Sequence, residues 1–385
     1  MKTRRELLVS ALGAACAAAT ERLACAGRPW PQDPAPSAGL PTLAGESGGA
    51  AHSARWWTTL PQSRVACGLC FRGCRISEGA RGHCGVRENR GGSLKTLVHS
   101  RPSALALDPI EKKPFFHVLP GASALSLGTA GCNFHCRWCQ NWEISQARPE
   151  DLPASTLTPD EVATLAVRKG VPVVACTYNE PTVFAEYALD VAIASQKKGV
   201  RTVVVSNGAI REEPLRDLCA VLAAYKVDLK CFSERTYREQ CSGDLKAVLD
   251  TLRRLAKMKV WTEIVVLLIP GLNDSETEVR GLARFVRDEV GPGTPVHFTR
   301  FHPTYRLTNL PPTPVASLER ARAIALAEGL AFAYVGNVPG HPGESTYCPG
   351  CKVRLIRRVG MATVENRLAK GACPDCGRAI PGVWS

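Results

Sequence analysis

The sequence predicts an α/β protein whose central part is a partial (β/α)6-type barrel, with a cysteine-containing module on each side of it. Apolar, strand-like runs alternate with helical patterns between residues 121 and 341, which is typical of a parallel sheet with helices on its outer face. Seventeen cysteines are present among 385 residues, and eleven of them fall into three tight groups. Such grouping favours metal sites over a disulfide framework.

Residues 1–30 resemble a twin-arginine export leader, since Arg4 and Arg5 precede an alanine-rich apolar run. That run is too short to span a bilayer, so we expect no transmembrane span in the mature chain. A tail without a targeting role is the alternative interpretation. Residues 31–66 are rich in Pro, Gly, Ser and Ala and are predicted to be a disordered linker.

Residues 67–120 are predicted to form an N-terminal four-cysteine metal module. The cysteines follow the spacing Cys-x2-Cys-x3-Cys-x9-Cys and are Cys67, Cys70, Cys74 and Cys84. Four thiolates can bind a zinc ion or hold an auxiliary iron–sulfur cluster, and the residues alone leave both assignments open.

A second group of cysteines, Cys132, Cys136 and Cys139, follows the first predicted strand of the barrel. A 4Fe-4S cluster takes one thiolate per iron, so three cysteines leave one iron open to another ligand. Zinc ribbons instead pair their ligands as Cys-x2-Cys knuckles, and no partner knuckle lies nearby in the sequence. The pattern therefore predicts a 4Fe-4S cluster that can take part in chemistry.

The barrel region, residues 121–341, contains seven predicted strands and six predicted helices. The strands are residues 123–129, 172–179, 201–207, 226–230, 262–269, 295–301 and 333–338. The helices are residues 159–169, 182–198, 213–224, 245–257, 275–289 and 315–328.

Polar residues close most of these strands. In parallel barrels the loops that follow the strands emerge on one face, and functional groups gather there. Such residues can also have ordinary roles, because a strand-end Asn or Ser often caps the next helix and an Asp–Lys pair can be a surface ion pair. The strand-end residues of interest are Asn179, Glu180, Ser206, Asn207, Asp228, Lys230, Gly271, Asn273 and His302.

Residues 342–385 carry two Cys-x2-Cys knuckles, Cys348 with Cys351 and Cys373 with Cys376. This pattern predicts a zinc-ribbon-like module with a closed tetrahedral site. A module this short cannot bury enough core alone, so the metal is expected to hold it together. Rubredoxin-like iron is the alternative.

Several motifs carry a family resemblance. The Cys-x3-Cys-x2-Cys spacing, with Trp138 before the last cysteine, resembles the signature of radical S-adenosylmethionine (SAM) enzymes. Further motifs resemble the radical SAM enzyme of the AmmeMemoRadiSam system, a relative of the activases of glycyl radical enzymes such as pyruvate formate-lyase. These motifs are Asp108–Pro114, Cys136–Ser145, Thr177–Pro181 and Tyr334–Gly340. The similarity runs from about Cys67 to the C-terminus and identifies the predicted barrel as a radical SAM barrel.

The resemblance implies a function and cofactors. A 4Fe-4S cluster would reductively cleave SAM to a 5′-deoxyadenosyl radical, which would abstract hydrogen from a substrate that the sequence does not identify. Such an enzyme needs a low-potential electron donor of the flavodoxin or ferredoxin type, and the other proteins of the AmmeMemoRadiSam system are the implied partners. Activation of a glycyl radical enzyme, or a non-catalytic metal-binding scaffold, are the alternatives.

The resemblance also assigns roles to residues. SAM would be bound by Trp138, Asn179, Glu180, Ser206, Asn207, Gly271 and Asn273. Lys230, Asp228 and His302 would face the substrate. The chain departs from the family's Gly-Gly-Glu motif, because Tyr178 and Asn179 replace the two glycines.

Charge and location complete the expectations. The net charge of +13 is spread along the chain without a block of basic residues, so no polynucleotide-binding arm is expected. The two indications of location conflict, because the leader suggests export whereas SAM and low-potential reductants are cytoplasmic supplies.

Overall fold

A computed structural model describes residues 40–41, 51–153 and 155–385. The predicted leader, residues 1–30, and much of the predicted linker lie outside the described residues. Within the described part of the chain, no helix is both long enough and apolar enough to cross a membrane.

The strands are numbered β1 to β17 and the α-helices α1 to α8. The strands are β1 (His52–Ser53), β2 (Trp57–Leu60), β3 (Arg64–Cys67), β4 (Arg75–Ile76), β5 (Arg87–Arg90), β6 (Ser93–Thr96), β7 (Ala104–Pro109), β8 (Ser123–Gly128), β9 (Val173–Cys176), β10 (Arg201–Ser206), β11 (Ala224–Asp228), β12 (Thr262–Leu268), β13 (Val296–Arg300), β14 (Ala333–Gly336), β15 (Thr346–Tyr347), β16 (Arg354–Val359) and β17 (Ala362–Asn366). The helices are α1 (Trp142–Ser145), α2 (Pro159–Arg168), α3 (Ala185–Lys197), α4 (Glu212–Cys219), α5 (Glu234–Cys241), α6 (Leu245–Lys257), α7 (Glu276–Phe285) and α8 (Val315–Ala327).

The central sheet has eight strands in the order β14-β13-β12-β11-β10-β9-β8-β7. Strands β8 to β14 run parallel, and β7 pairs antiparallel with β8 at one edge. Because β7 and β14 do not pair, the sheet is an open barrel rather than a closed one. The predicted fold class is confirmed.

The apolar strands of the sheet are buried on both faces. In β9, Val174 and Cys176 belong to the main core, whereas Val173 and Ala175 face a second core that includes Ile110. Alternate residues of a strand point to opposite faces, so a strand covered on both sides is apolar throughout. This is why the seven parallel strands were visible in the sequence as continuous apolar runs.

The six predicted helices omit α1 and α5 of the barrel region. Two further pieces near the barrel were not predicted either. Strand β7 extends the sheet, although residues 67–120 were assigned to the N-terminal module. The segment 110–118 then covers the inside of the sheet, where Phe115 and Val118 are fully buried. Neither piece has the regular period of a strand–helix unit, which is the pattern that identified the rest of the barrel.

The N-terminal module consists of two small sheets, β2-β3-β4 and β1-β6-β5. Residues 52–66 were assigned to the disordered linker, but they form β1, β2 and most of β3. The fully buried Val65 on β3 packs into the main core and gives this segment its stability. A buried ion pair joins the module to α3, since Arg87 Nη1 lies 2.8 Å from Glu186 Oε1.

A buried carboxylate, Glu263 of β12, organises the inside of the barrel. It lies 3.6 Å from Lys226 Nζ, accepts a 2.7 Å hydrogen bond from His297 Nε2, and accepts the backbone N–H groups of Phe116 and His117. Although burial opposes its charge, Lys226 and His297 hold the pKa of Glu263 well below its usual range. Glu263 thus joins three strands to the segment that covers them.

The C-terminal module is built on the sheet β15-β16-β17. It packs against the end of the barrel at which Phe116 of segment 110–118 lies. Arg358 donates to the backbone oxygen of Phe116 at 2.7 Å and to Thr346 Oγ1 at 2.9 Å. The end of the chain also pairs with segment 110–118, because Val383 and Val118 form a parallel bridge. The module therefore closes the floor of the barrel, at the amino ends of the strands.

We predict that Glu263→Ala lowers the free energy of unfolding by about 3–5 kcal/mol, because it leaves Lys226 buried without its carboxylate partner. Chemical denaturation followed by circular dichroism measures the change. Glu289→Ala is the matched control, because Glu289 is exposed and pairs with Arg253 at the surface; its loss should cost less than about 1 kcal/mol. Equal losses in the two variants would contradict the role assigned to Glu263.

Candidate functional site

The three-cysteine loop, residues 131–139, leaves the carboxyl end of β8. Its path depends on the backbone of α5, since the N–H groups of His135 and Arg137 donate to the carbonyl groups of Cys241 and Gln240. Phe134 anchors the loop in the main core with 1% of its surface exposed. Because the loop is held at both its start and its middle, the three thiols share one edge of the barrel.

Asn179, at the end of β9, holds the start of this loop. Its Oδ1 accepts the N–H of Thr129 at 3.1 Å, and its Nδ2 donates to the carbonyl oxygen of Gly131 at 2.8 Å. Gly128 permits the close approach, since a Cβ there would lie 2.7 Å from the carbonyl oxygen of Thr177. The side chain predicted to bind SAM is thus already engaged by the backbone of the cysteine loop.

Two hydrogen-bond donors approach the sulfur of Cys132. The N–H of Phe134 lies 3.3 Å from it and Asn207 Nδ2 lies 4.0 Å from it. Burial raises the pKa of Cys132 well above its usual value, so this thiol is protonated in the absence of a metal. The donors nevertheless point at the sulfur in the way that suits a metal-bound thiolate.

The sulfur of Cys136 has a different neighbour, Cys241, which the sequence analysis did not include in the site. A hydrogen bond from the Cys241 thiol lowers the pKa of Cys136 against the effect of burial, and the charge of Lys230 adds to the lowering. Cys241 is itself fully buried at the end of α5. No motif connects two cysteines so far apart in the chain, so the sequence carried no signal for this contact.

Glu180, Ser206 and Asn207 form one buried network, as their positions at neighbouring strand ends predict. Glu180 Oε1 accepts the Ser206 hydroxyl at 2.7 Å, and Glu180 Oε2 accepts the N–H of Asn207 at 2.7 Å. Asn207 Nδ2 donates in turn to Asn133 Oδ1 at 2.7 Å. The network therefore runs from two strand ends to the cysteine loop.

The Glu180 carboxylate is 1% exposed. Burial raises its pKa above the usual value, while the hydrogen bonds from Asn207, Ser206 and Thr182 act in the opposite direction. A carboxylate in this position has a strong tendency to attract a positively charged partner.

Lys230 and Asp228 form an ion pair at the end of β11, with Nζ and Oδ2 2.6 Å apart. Burial opposes the charge of Lys230, but Asp228 and Cys136 raise its pKa above the usual range. Lys230 therefore stays charged near the three-cysteine loop. His302 follows β13 and is exposed, and the described residues show no hydrogen bond or ion pair between it and Lys230 or Asp228.

The remaining residues assigned to SAM lie in different settings. Asn273 is 2% exposed and ties the loop after β12 to two strand ends, since Nδ2 donates to the carbonyl groups of Lys230, after β11, and Leu267, in β12. Gly271 adopts a left-handed φ of 72° with open space where a Cβ would stand. Trp138 is buried in the main core.

A second buried network, centred on Asp108 of β7, lies beside the site. Asp108 Oδ2 accepts the Tyr178 hydroxyl at 2.6 Å and lies 2.5 Å from Lys113 Nζ. Burial lowers the pKa of Lys113 to about 8, although the charge of Asp108 opposes the change. These residues lie in motifs that carried the family resemblance, but their mutual contact depends on the unpredicted strand β7.

The two four-cysteine groups differ in their geometry. In the C-terminal quartet the Sγ atoms of Cys348 and Cys376 are 3.5 Å apart, and all four sulfur atoms lie within 4.8 Å of one another. In the described part of the chain this is the one group of three or more Cys, His, Asp or Glu residues whose ligand atoms lie so close together. The N-terminal quartet lines a single pocket with its sulfur atoms farther apart.

Comparison with known families matches residues 126–283 to the Radical SAM superfamily. The matched region runs from β8 to α7 and includes all three cysteines of the loop. The family match therefore covers predicted strands of the barrel and the predicted cluster loop.

The chain is also similar to individual proteins. Uncharacterized protein MJ0808 of Methanocaldococcus jannaschii is 43% identical over 329 residues, which are 85% of this chain and 98% of that protein. Pyruvate formate-lyase 1-activating enzyme of Escherichia coli K12 is 25% identical over 215 residues, covering 50% of this chain and 85% of the relative. The solved structure of a radical SAM methyltransferase from Sphaerobacter thermophilus is 16% identical, with a TM-score of 0.46 and coverage of 58% and 70%. The chain belongs to the family of MJ0808 and contains a domain of the Radical SAM superfamily.

Proposed function

We propose that this protein is a radical SAM enzyme whose 4Fe-4S cluster is held by Cys132, Cys136 and Cys139. One observation carries the proposal: three cysteines share a loop at the carboxyl edge of the parallel barrel, beside the buried carboxylate of Glu180. Binding sites in parallel barrels form at this edge, so the loop stands where a cofactor and a substrate would meet.

The donor set fits a cluster. Among the described residues, no three ligand atoms of this loop and its neighbours lie within 4.8 Å of one another, whereas a mononuclear zinc ion holds its sulfur ligands about 3.8 Å apart. Thiolates that bind different iron atoms stand farther apart, and the N–H of Phe134 is placed to donate to the Cys132 sulfur. When bound, the cluster supplies the electron for cleavage of SAM to methionine and a 5′-deoxyadenosyl radical.

The chain's own residues would place SAM and the substrate. Glu180 offers a buried carboxylate for the SAM amino group, while Ser206 and Asn207 fix the orientation of that carboxylate. Asn179 would act indirectly, because its side chain holds the cysteine loop. Trp138, Gly271 and Asn273 would shape the surroundings of SAM. On the substrate side, Lys230 offers a charged group whose position Asp228 fixes, and His302 is exposed after β13.

We predict that anaerobically reconstituted protein releases 5′-deoxyadenosine when SAM and dithionite are added. Cys136→Ala should reduce the release to background, because two thiolates cannot retain the cluster. Liquid chromatography with mass spectrometry measures the product. Cys219→Ala is the matched control, since this half-buried cysteine ends α4 and belongs to none of the three cysteine groups. Mononuclear zinc at the three cysteines, or unchanged release in Cys136→Ala, would contradict the proposal.

Two more specific assignments of the enzyme are proposed. The motifs around Asp108, Tyr178 and Asn337 favour the enzyme of the AmmeMemoRadiSam system, with the other proteins of that system as partners. The similarity to a pyruvate formate-lyase activating enzyme favours a second candidate, the activation of a glycyl radical enzyme. A glycyl radical detected by electron paramagnetic resonance on an added pyruvate formate-lyase would favour the second candidate.

We also propose zinc for the C-terminal quartet. Zn–S bonds of about 2.3 Å place tetrahedral sulfur atoms about 3.8 Å apart, and the paired sulfur atoms of the quartet are 3.5 and 3.6 Å apart. The metal would hold together the module that closes the barrel floor. A non-catalytic role as a metal scaffold would be limited to this part of the chain.

We predict that the purified protein holds about one zinc per chain in this module. The double variant Cys351→Ala/Cys376→Ala should lose this zinc, because both removed thiols are exposed ligands of the quartet. Mass spectrometry of the metals measures zinc per chain. Cys132→Ala/Cys136→Ala/Cys139→Ala should keep the zinc, and a double variant that also keeps it would disprove the assignment.

The remaining proposals concern the electron donor, nucleic acid and the location of the protein. The electron donor is a flavodoxin or ferredoxin type protein. Nucleic acid is not proposed as a partner, since the positive charge is not concentrated in one segment. The leader, residues 1–30, favours export and the need for SAM favours the cytoplasm. Sequencing the N-terminus of the protein isolated from its own cell would decide whether the leader is removed.

A further inference from the structure

Cys67, Cys70, Cys74 and Cys84 line one pocket of the N-terminal module, together with the buried apolar side chains of Leu69 and Ile76. The sulfur atoms face a shared space but do not converge as those of the C-terminal quartet do. A mononuclear zinc ion needs all four sulfur atoms about 3.8 Å apart. A 4Fe-4S cluster binds each thiolate at a different iron, so it needs them farther apart.

The chain contains one zinc-like and two cluster-like arrangements of cysteines. The sulfur atoms of the C-terminal quartet all lie within 4.8 Å of one another, whereas in the described residues those of the N-terminal quartet and of the three-cysteine loop do not. The N-terminal quartet is thus arranged like the loop to which we assign a cluster. Since it has a fourth cysteine, every iron would have a protein ligand.

The N-terminal quartet also lies directly against the three-cysteine loop. A Cβ at Gly131 would stand 2.5 Å from the carbonyl oxygen of Cys84, so only glycine allows the two segments to touch there. Gly131 also has a left-handed φ of 87°, which favours glycine for a second reason. Gly131 directly precedes Cys132, so the contact between Cys84 and Gly131 brings one cysteine of each group close to the other.

Three side-chain contacts reinforce this junction, and each uses the neighbour of a cysteine. His83 Nε2 and His135 Nδ1 are 3.0 Å apart. The Phe71 and Phe134 rings meet edge to face with centroids 5.7 Å apart. Arg72 Nε donates to the carbonyl oxygen of Asn133 at 2.8 Å. These contacts fix the distance between the two cysteine groups.

Cys84 and Cys132 also line the same pocket, which has a volume of about 550 Å³ and opens to solvent. A protein that docks over this opening would reach the N-terminal module and the three-cysteine loop from one side. The opening is lined by polar side chains, among them Arg81, Glu88 and Arg148.

We propose that Cys67, Cys70, Cys74 and Cys84 hold a second 4Fe-4S cluster, and that this cluster passes electrons to the one at the three-cysteine loop. A low-potential donor of the flavodoxin or ferredoxin class loses one electron to the second cluster, which then returns to its oxidised state as the first cluster is reduced by one electron. The cluster assignment stands by itself, and the electron transfer rests on the function proposed above.

The first test counts metals in the full chain after anaerobic reconstitution. We expect about eight iron atoms and about one zinc per chain in the unmodified protein, and about four iron atoms in Cys132→Ala/Cys136→Ala/Cys139→Ala. The reduced triple variant should give an electron paramagnetic resonance signal that SAM does not change, because its cluster has no open iron. About four iron atoms and about two zinc atoms in the unmodified protein would overturn the assignment.

The second test concerns proximity and electron transfer. In the fully reduced unmodified protein, magnetic coupling between adjacent clusters should broaden the resonance signals, and the broadening should disappear in the triple variant. Cys70→Ala/Cys74→Ala should keep about four iron atoms and a SAM-sensitive signal. Dithionite should still reduce this variant, whereas reduced flavodoxin should do so several-fold more slowly than it reduces the unmodified protein. Equal rates with flavodoxin would overturn the electron transfer.

These outcomes separate the two proposals. About eight iron atoms without release of 5′-deoxyadenosine would leave the second cluster in place and remove the radical SAM function. Release of 5′-deoxyadenosine by a protein with about four iron atoms would do the reverse. If the triple variant does not fold, the metal count of the unmodified protein decides the cluster assignment.

Discussion

The geometry of the site depends on the buried carboxylate of Glu180. A carboxylate removed from water is costly unless several donors surround it, and here Thr182, Ser206 and the backbone of Asn207 supply them. Because these donors belong to the end of β10 and to the turn after β9, the two strand ends cannot move independently. Asn207 then extends the constraint to Asn133 in the cysteine loop. The loop is therefore positioned by the sheet rather than by a metal alone.

Much of the fold was readable from the sequence, and the reason is physical. Strands buried on both faces appear as apolar runs, so all seven parallel strands were located. Strand β7 and the segments at 52–66 and 110–118 were missed, because they are stabilised by contacts with distant parts of the chain. Val65 packs into the main core, and Phe116 donates its backbone N–H to Glu263 in the barrel. Local periodicity carries no information about such partners.

The site shows a similar division. Cysteine spacing located the loop and both quartets, because the cysteines of each group stand at the short intervals that are typical of metal ligands. An Asn just after a strand can either bind a cofactor or hold a neighbouring loop, so the sequence could not show which of these Asn179 does. The contact between Cys136 and Cys241 had no sequence signal either, because it depends on the tertiary packing of α5 against the loop.

The pairing of Val383 with Val118 has a consequence for biosynthesis. The residues that complete the underside of the barrel are translated after the strands they cover, since Val383 lies beyond β14 in the chain. A nascent chain on the ribosome therefore exposes the apolar lining around Val118 until residue 383 can pair with it. Termination before residue 383 would leave that lining open to water and to aggregation.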